Sequence, residues 1–268
     1  MDPFASTAEL TFPHAVVVTD ARGPIRTHGE VDESFRWASV TKLLTATAAL
    51  VAVQRHLVAL EDPVGPPGAT LAHLLAHASG VGPDSDAPVA APGRRRVYSN
   101  RGFEILADHV AEGVGTDFGD WLEESVLMPL GLSTVLLEGS PAHGARGSAA
   151  DLARLGRELL APTLLEPELF ARATTVAFPG LTGVLPGFGR QDPNDWGLGF
   201  EIRDGKAPHW TGAGNDPATF GHFGQSGSFL WVDPRAGIAT AFLGAEPFGE
   251  WAAQVWPRLS DAVLAERG

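Results

Sequence analysis

Apolar residues follow two different spacings along this chain, and each spacing predicts a different element. HAVVVTD (His14 to Asp20) is rich in β-branched residues and ends at ARGP, which predicts a first strand and a turn. From Ser39 to about Leu60 the chain is apolar nearly all round, without glycine or proline, so a buried helix is expected instead of an amphipathic surface one. EDPVGPPG ends that segment. Between roughly Glu61 and Asp195, short helical patterns (ATLAHLLAHAS, NRGFEILADHVAEGV, TDFGDWLEESVLMPL, SAADLARLGRELLA) alternate with loops rich in glycine and proline. Strand character returns at WGLGFEIRD, SGSFLWVDP and GIATAFLGAE, spaced as an antiparallel meander would be. A last helical pattern, GEWAAQVWPRLSDAVLAER, contains Pro257 and is expected to be interrupted there. The expected fold class is α/β (α+β). One domain spans 1–268, with a sheet lobe over about 1–60 and 196–268 and a helical lobe over about 61–195.

Composition narrows the possible partners. With 268 residues, 44% of them hydrophobic, the chain can bury a substantial core. A formal net charge of −13 would repel a phosphate backbone, so a small-molecule substrate is expected and a nucleic-acid partner is not. No segment reaches membrane-spanning length, and MDPFASTAELTFPHAVVV lacks the basic region and unbroken apolar run of a secretory leader. No membrane association and a cytoplasmic location are therefore expected. The absence of cysteine removes disulfides, thiolate metal sites and a thiol nucleophile, leaving nucleophiles based on oxygen or nitrogen.

Ser39 stands three places before Lys42, a spacing that puts both side chains on one helical face within hydrogen-bonding reach. At the start of a helix, free N–H groups and the helix dipole favour negative charge developing on the serine oxygen or a substrate oxyanion. A lysine inside such an apolar segment loses solvation, and its neutral amine can then accept the serine proton. A bare Ser-x-x-Lys is also what an ordinary helix start provides, so other features must carry the argument. The chain has one tyrosine, Tyr98, in RRRVYSNRGFEIL just before a helical pattern. Its phenol could relay a proton, and the nearby Asn100 amide could hold Lys42 or a substrate carbonyl. In GHFGQSGSFLWVDP, His222, Phe223 and Gly224 precede a strand. A strand edge beside a nucleophile can present a backbone N–H to an oxyanion, and glycine permits close approach.

SVTK, YSN and HFG, in that order with a helical segment between the first and last, resemble the three motifs of the serine β-lactamase and penicillin-binding protein superfamily. The most similar variant is the group of class C β-lactamases, D-alanyl-D-alanine carboxypeptidases and related esterases. LAHLLAHASGV, SAADLARLGREL and WGLGFEI add to the resemblance, which covers nearly the whole chain. It implies an antiparallel sheet flanked by helices with a helical lobe, and acylation and deacylation chemistry with no metal or cofactor. It further implies Ser39 as the acylated nucleophile, Lys42 as its base or proton shuttle, and Tyr98 as partner acid/base. Asn100 would be a ligand of the lysine or substrate, and His222 and Gly224 would line the substrate strand. The oxyanion hole would be formed by the N–H groups of Ser39 and Gln225.

The third motif departs from the family pattern. The family usually has lysine or histidine, then threonine or serine, then glycine; Phe223 lacks the hydroxyl that helps bind a substrate carboxylate, and His222, the histidine variant, weakens the fixed positive charge a lysine would give. Both changes favour a small neutral ester or amide over a β-lactam or a cell-wall peptide. Arg94, Arg95 and Arg96 run up to the Tyr98 loop and read as a solvated surface, with an acidic ligand as the alternative. His73 and His77 have i, i+4 spacing but lack the glutamate of a metalloprotease helix, and read as structural.

Overall fold

The computed structural model describes residues 2–266. Strands β1 (His14–Thr19), β2 (Pro24–Gly29) and β3 (Ser34–Arg36) precede helix α1 (Thr41–Gln54). Then come α2 (Leu71–Leu75), α3 (Asn100–Val114) and α4 (Phe118–Leu122), which continues through a π-helical stretch into α5 (Met128–Leu130). Strands β4 (Leu136–Leu137) and β5 (Ala145–Ser148), helices α6 (Ala149–Leu160) and α7 (Pro167–Ala173), and the hairpin of β6 (Gly183–Leu185) and β7 (Gly189–Gln191) follow. Strands β8 (Glu201–Ile202), β9 (Phe220–Gly224), β10 (Ser228–Asp233) and β11 (Ile238–Gly244) and helix α8 (Glu250–Ala265) complete the order.

The main sheet has six strands in the order β2-β1-β11-β10-β9-β8, with antiparallel neighbours throughout. Pairing of β1 with β11, from His14 opposite Gly244 to Thr19 opposite Ala239, joins the two ends of the chain. Both faces of the sheet are covered, which is why β10 and β11 are buried at every position and read as continuous apolar runs. Alternate residues supply two cores. Val17, Leu230, Val232, Ala239 and Ala241 pack with α1, α3 and α6. Val16, Phe229, Trp231 and Phe242 pack with Trp256 and Leu259 of α8. Burying a ring such as Phe229 or Phe242 contributes on the order of 1.5–3 kcal/mol. Helix α6 lies directly on the sheet because Gly156 has no side chain: a Cβ there would come within 3.0 Å of Ala239 Cβ. This part of the expected helical segment thus belongs to the sheet layer.

Every residue of α1 from Thr41 to Ala52 is buried, as its uninterrupted apolar pattern predicts. The helix ends at Gln54, and His56 turns the chain with φ 57°. Val58 and Leu60 are buried without being helical, so the apolar run outlasts the helix. Helix α8 continues through Pro257 where an interruption was expected. Burial of Trp256, Leu259 and Val263 against the sheet outweighs the lost backbone bond. Among the described residues, no helix is long and apolar enough to cross a membrane.

Candidate active site

Ser39 lies in the middle of a 3-10 turn, Ala38–Val40, one step ahead of α1 and not inside it. Ala38 has φ 44°, a left-handed conformation uncommon for a residue with a side chain. Bonds around Trp37 hold it there: the Trp37 N–H donates to Ala145 O at 2.9 Å, its indole N–H to Gly147 O at 3.2 Å, and Ser228 Oγ to Trp37 O at 2.7 Å. Lys42 follows in the first turn of α1, fully buried. Tyr98 and Asn100 reach the same point from the start of α3. Ser99 caps that helix, accepting from the Gly102 N–H at 2.8 Å and donating to Gly82 O at 2.6 Å.

These four side chains meet. The Tyr98 hydroxyl donates to Ser39 Oγ at 2.7 Å, and Lys42 Nζ is 3.4 Å from the same oxygen. Lys42 Nζ also donates to Asn100 Oδ1 at 2.7 Å and to Ala142 O at 2.9 Å. The loop carrying Ala142 is fixed by Ser140 Oγ donating to Glu104 at 2.8 Å and Thr45 Oγ1 to Pro141 O at 2.6 Å. A neutral amine has two N–H donors and one lone pair. With Asn100 and Ala142 taking both donors, the lone pair is directed at Ser39. Asn100 is itself oriented: its Nδ2 donates to Asp84 Oδ1 at 2.9 Å, so its carbonyl oxygen must face Lys42.

Burial strips water from Lys42 and lowers its pKa from 10.5 to about 7, against the opposing pull of Asp84 and Glu104. Burial also raises the Tyr98 pKa well above that of a free phenol, so it stays protonated. His222 faces this group from β9, with its ring 5.8 Å from Tyr98 and 5.4 Å from Trp196. Burial, together with the positive charge of Lys42, pulls His222 down to about 3, so the position carries no cation at neutral pH. Phe223 points the other way, into the aromatic layer under α8, 5.1 Å from Phe248 and 5.7 Å from Phe188. Gly224 fits where no side chain could, since a Cβ there would be 2.4 Å from Trp37 O and from Ser228 Oγ. Ser39, Asn100 and Gln225 line one cleft of about 740 Å³, together with Arg36, His143 and Arg146.

Several features of the site have no counterpart in the sequence reading. The Ala142 carbonyl acts through backbone and leaves no residue signature. Asp84 arrives from a loop without periodicity. His77, read as structural, is buried against Tyr98 at 4.6 Å and accepts the Ser99 N–H at 3.2 Å, so it supports the tyrosine segment. Arg96 is not solvated as expected: it is buried and donates to the carbonyls of Ala76, Ala177, Phe178 and Asn194.

The family model named Beta-lactamase matches residues 9–264. The chain belongs to the β-lactamase family. This family of hydrolases accounts for the mixed helix and antiparallel-sheet architecture around the site. A crystal structure of a β-lactamase (Mb2281c) from Mycobacterium bovis is 51% identical, with 99% of each chain covered and a TM-score of 0.97. Simvastatin synthase (LovD) from Aspergillus terreus shares the fold at 19% identity and TM-score 0.81, with 99% of each chain covered. The D-alanyl-D-alanine-carboxypeptidase/endopeptidase AmpH of Escherichia coli K12 is 29% identical over 47% of this chain and 46% of its own length. The chain thus spans about half the length of the curated relatives it matches.

Proposed function

We propose that this β-lactamase-family protein is a serine hydrolase that cleaves a small ester or amide through an acyl-Ser39 intermediate. The observation that carries the reading is the buried Lys42 amine, lowered to about 7 and 3.4 Å from a serine oxygen that also accepts from Tyr98. Ser39 Oγ attacks the substrate carbonyl carbon as its proton passes to Lys42. The leaving group departs with a proton returned through Lys42 and Tyr98, and water then breaks the acyl-Ser39 bond to release the acid. Asn100 orients Lys42 and can donate to a bound carbonyl, while His222 and Gly224 shape the substrate strand. The N–H groups of Ser39 and Gln225 receive the oxyanion. The expected result is turnover of p-nitrophenyl butyrate that is lost in Ser39→Ala; full activity in that variant would sink the reading.

A second reading within the same chemistry is a true β-lactamase or D-alanyl-D-alanine carboxypeptidase, supported by the likeness to the Mycobacterium bovis protein and to AmpH. The neutral His222 and the absence of a hydroxyl at Phe223 favour the ester or amide. Nitrocefin run beside the butyrate ester separates the two. A protein whose Ser39 ignores both substrates and a fluorophosphonate probe would instead be a binding member of the fold.

A further inference from the structure

Tyr98 lines one cleft and, through its hydroxyl bond to Ser39, touches a residue that lines another. The cleft that Tyr98 lines has a volume of about 490 Å³, within the roughly 300–1,000 Å³ range of small-molecule sites. Its walls are apolar, with Val89 and Val97 on the loop before α3 and Val184 and Pro186 on the hairpin of β6 and β7. Val89 and Val184 are 48% and 60% exposed, among the few large apolar side chains left open to water. Covering them with an apolar ligand would be favourable because it removes that surface from water. The hairpin is anchored to the tyrosine segment, because the Arg96 N–H donates to Thr182 O at 2.8 Å.

Two arginines with exposed guanidinium groups, Arg95 and Arg190, are among the residues lining this cleft. The neighbouring Arg96 side chain is committed to four carbonyls and has nothing to offer a ligand. Arg95 donates to Val89 O at 3.0 Å, and Arg190 lies 3.4 Å from Asp192 in an exposed pair of the kind worth little. Each guanidinium has five N–H donors, so most remain for a ligand. In a chain of net charge −13, an anionic ligand needs such a local concentration of arginine.

We propose that this cleft is a substrate subsite for a short apolar chain ending in a carboxylate, which Arg95 and Arg190 bind while the chain lies along Val89, Val97 and Val184. This rests on the reading of Ser39 as nucleophile, and it replaces the neutral substrate expected from the third motif with an ester or amide whose acidic end is held away from β9, its scissile bond on the Ser39 side of Tyr98. The test compares monomethyl adipate with dimethyl adipate, which differ by one negative charge, binding to the Ser39→Ala protein by titration calorimetry. The expected result is tighter binding of the monoester by about tenfold or more, the discrimination of a well-made charge-assisted pair. That preference should vanish in Arg95→Gln/Arg190→Gln and persist in Arg36→Gln/Arg146→Gln. Equal binding of the two esters, or a preference that survives the first double variant, would overturn the proposal. The measurement needs no turnover. Selective binding in a protein that hydrolyses no ester would support the subsite and refute the nucleophile, whereas Ser39-dependent hydrolysis with equal binding would do the reverse.

Discussion

In the proposed mechanism Lys42 cannot accept the Ser39 proton while it is itself protonated, so its pKa, lowered to about 7, would set the acid limb of activity. kcat/KM for p-nitrophenyl butyrate is expected to rise about tenfold per pH unit below 7 and to level off above it, because only the neutral amine is competent. A profile flat from pH 5 to 8 would contradict this. Asp84 tests the orientation of Asn100. In Asp84→Asn the carboxylate that holds the Asn100 amide is replaced by an amide, and the charge that raises the Lys42 pKa is lost. We expect kcat/KM to fall several-fold at pH 8 while the acid limb moves to lower pH. A drop with an unmoved limb would mean that Asp84 only supports its loop. The residues of this group differ in how legible they are in the sequence. Spacing marks Ser39 and Lys42 and rarity marks Tyr98, but their roles and that of Asn100 are legible only through the resemblance of SVTK and YSN to the family motifs. The acceptor at Ala142 and the brace at Asp84 are contributed by loops and depend on how the chain closes on itself.

At the scale of elements, the proposed mechanism requires a close approach of β9 and the turn after it to Ala38–Val40. Ser226 Oγ donates to Arg36 O and Ser228 Oγ to Trp37 O, both at 2.7 Å, and Gly224, without a side chain, lets Trp37 O and Ser228 Oγ close in on it. Gly224→Ala would put a Cβ 2.4 Å from Trp37 O, so strand and turn must separate. A loss of kcat/KM on the order of a hundredfold is expected, similar to removing one oxyanion donor, with the fold retained by circular dichroism. Near wild-type rates would show that the Gln225 N–H is not used. Element boundaries divide between legible and hidden along the same physical lines. Helix α3 starts at a capping serine and ends at Gly115 with φ 77°, signals that are local in sequence. The end of α1 has no such signal, because Val58 and Leu60 are buried as loop residues and apolar patterning reports burial, not backbone shape. Strands β4, β6 and β7 have only two or three residues each, too few to show an alternation, while the strand expected within WGLGFEIRD forms only over Glu201–Ile202.

Across the whole molecule, buried titrating groups set where stability peaks. Arg96 donates to carbonyls from three separate segments, around Ala76, Ala177 and Asn194, and Arg96→Met would leave all of them unsatisfied. A loss of roughly 3–5 kcal/mol is expected in urea unfolding. Nothing in the run Arg94 to Arg96 marks the middle of three chain segments, so this long-range role stays hidden until the chain is folded. The pH dependence follows from the same burial. Lys42 is lowered from 10.5 to about 7, so between those values the unfolded chain holds a proton that the folded one lacks, and stability rises with pH. The gap corresponds to about 5 kcal/mol, fully felt below pH 7 and gone above 10.5. His77, His209 and His222, all lowered chiefly by burial, add a decline as pH falls below 6.5. Glu201 adds another below 4.5: burial would raise its pKa, but Lys206 and His209 hold it near 2. Tyr98 acts from the other side: its raised pKa makes the folded state lose stability above pH 10. The urea midpoint should therefore climb from pH 6 and peak near pH 10. In Lys42→Met the rise above pH 7 should flatten, and catalytic activity should be lost. A wild-type midpoint that falls between pH 7 and 9 would mean that Lys42 is protonated in the folded protein, and the base assignment would fail with it.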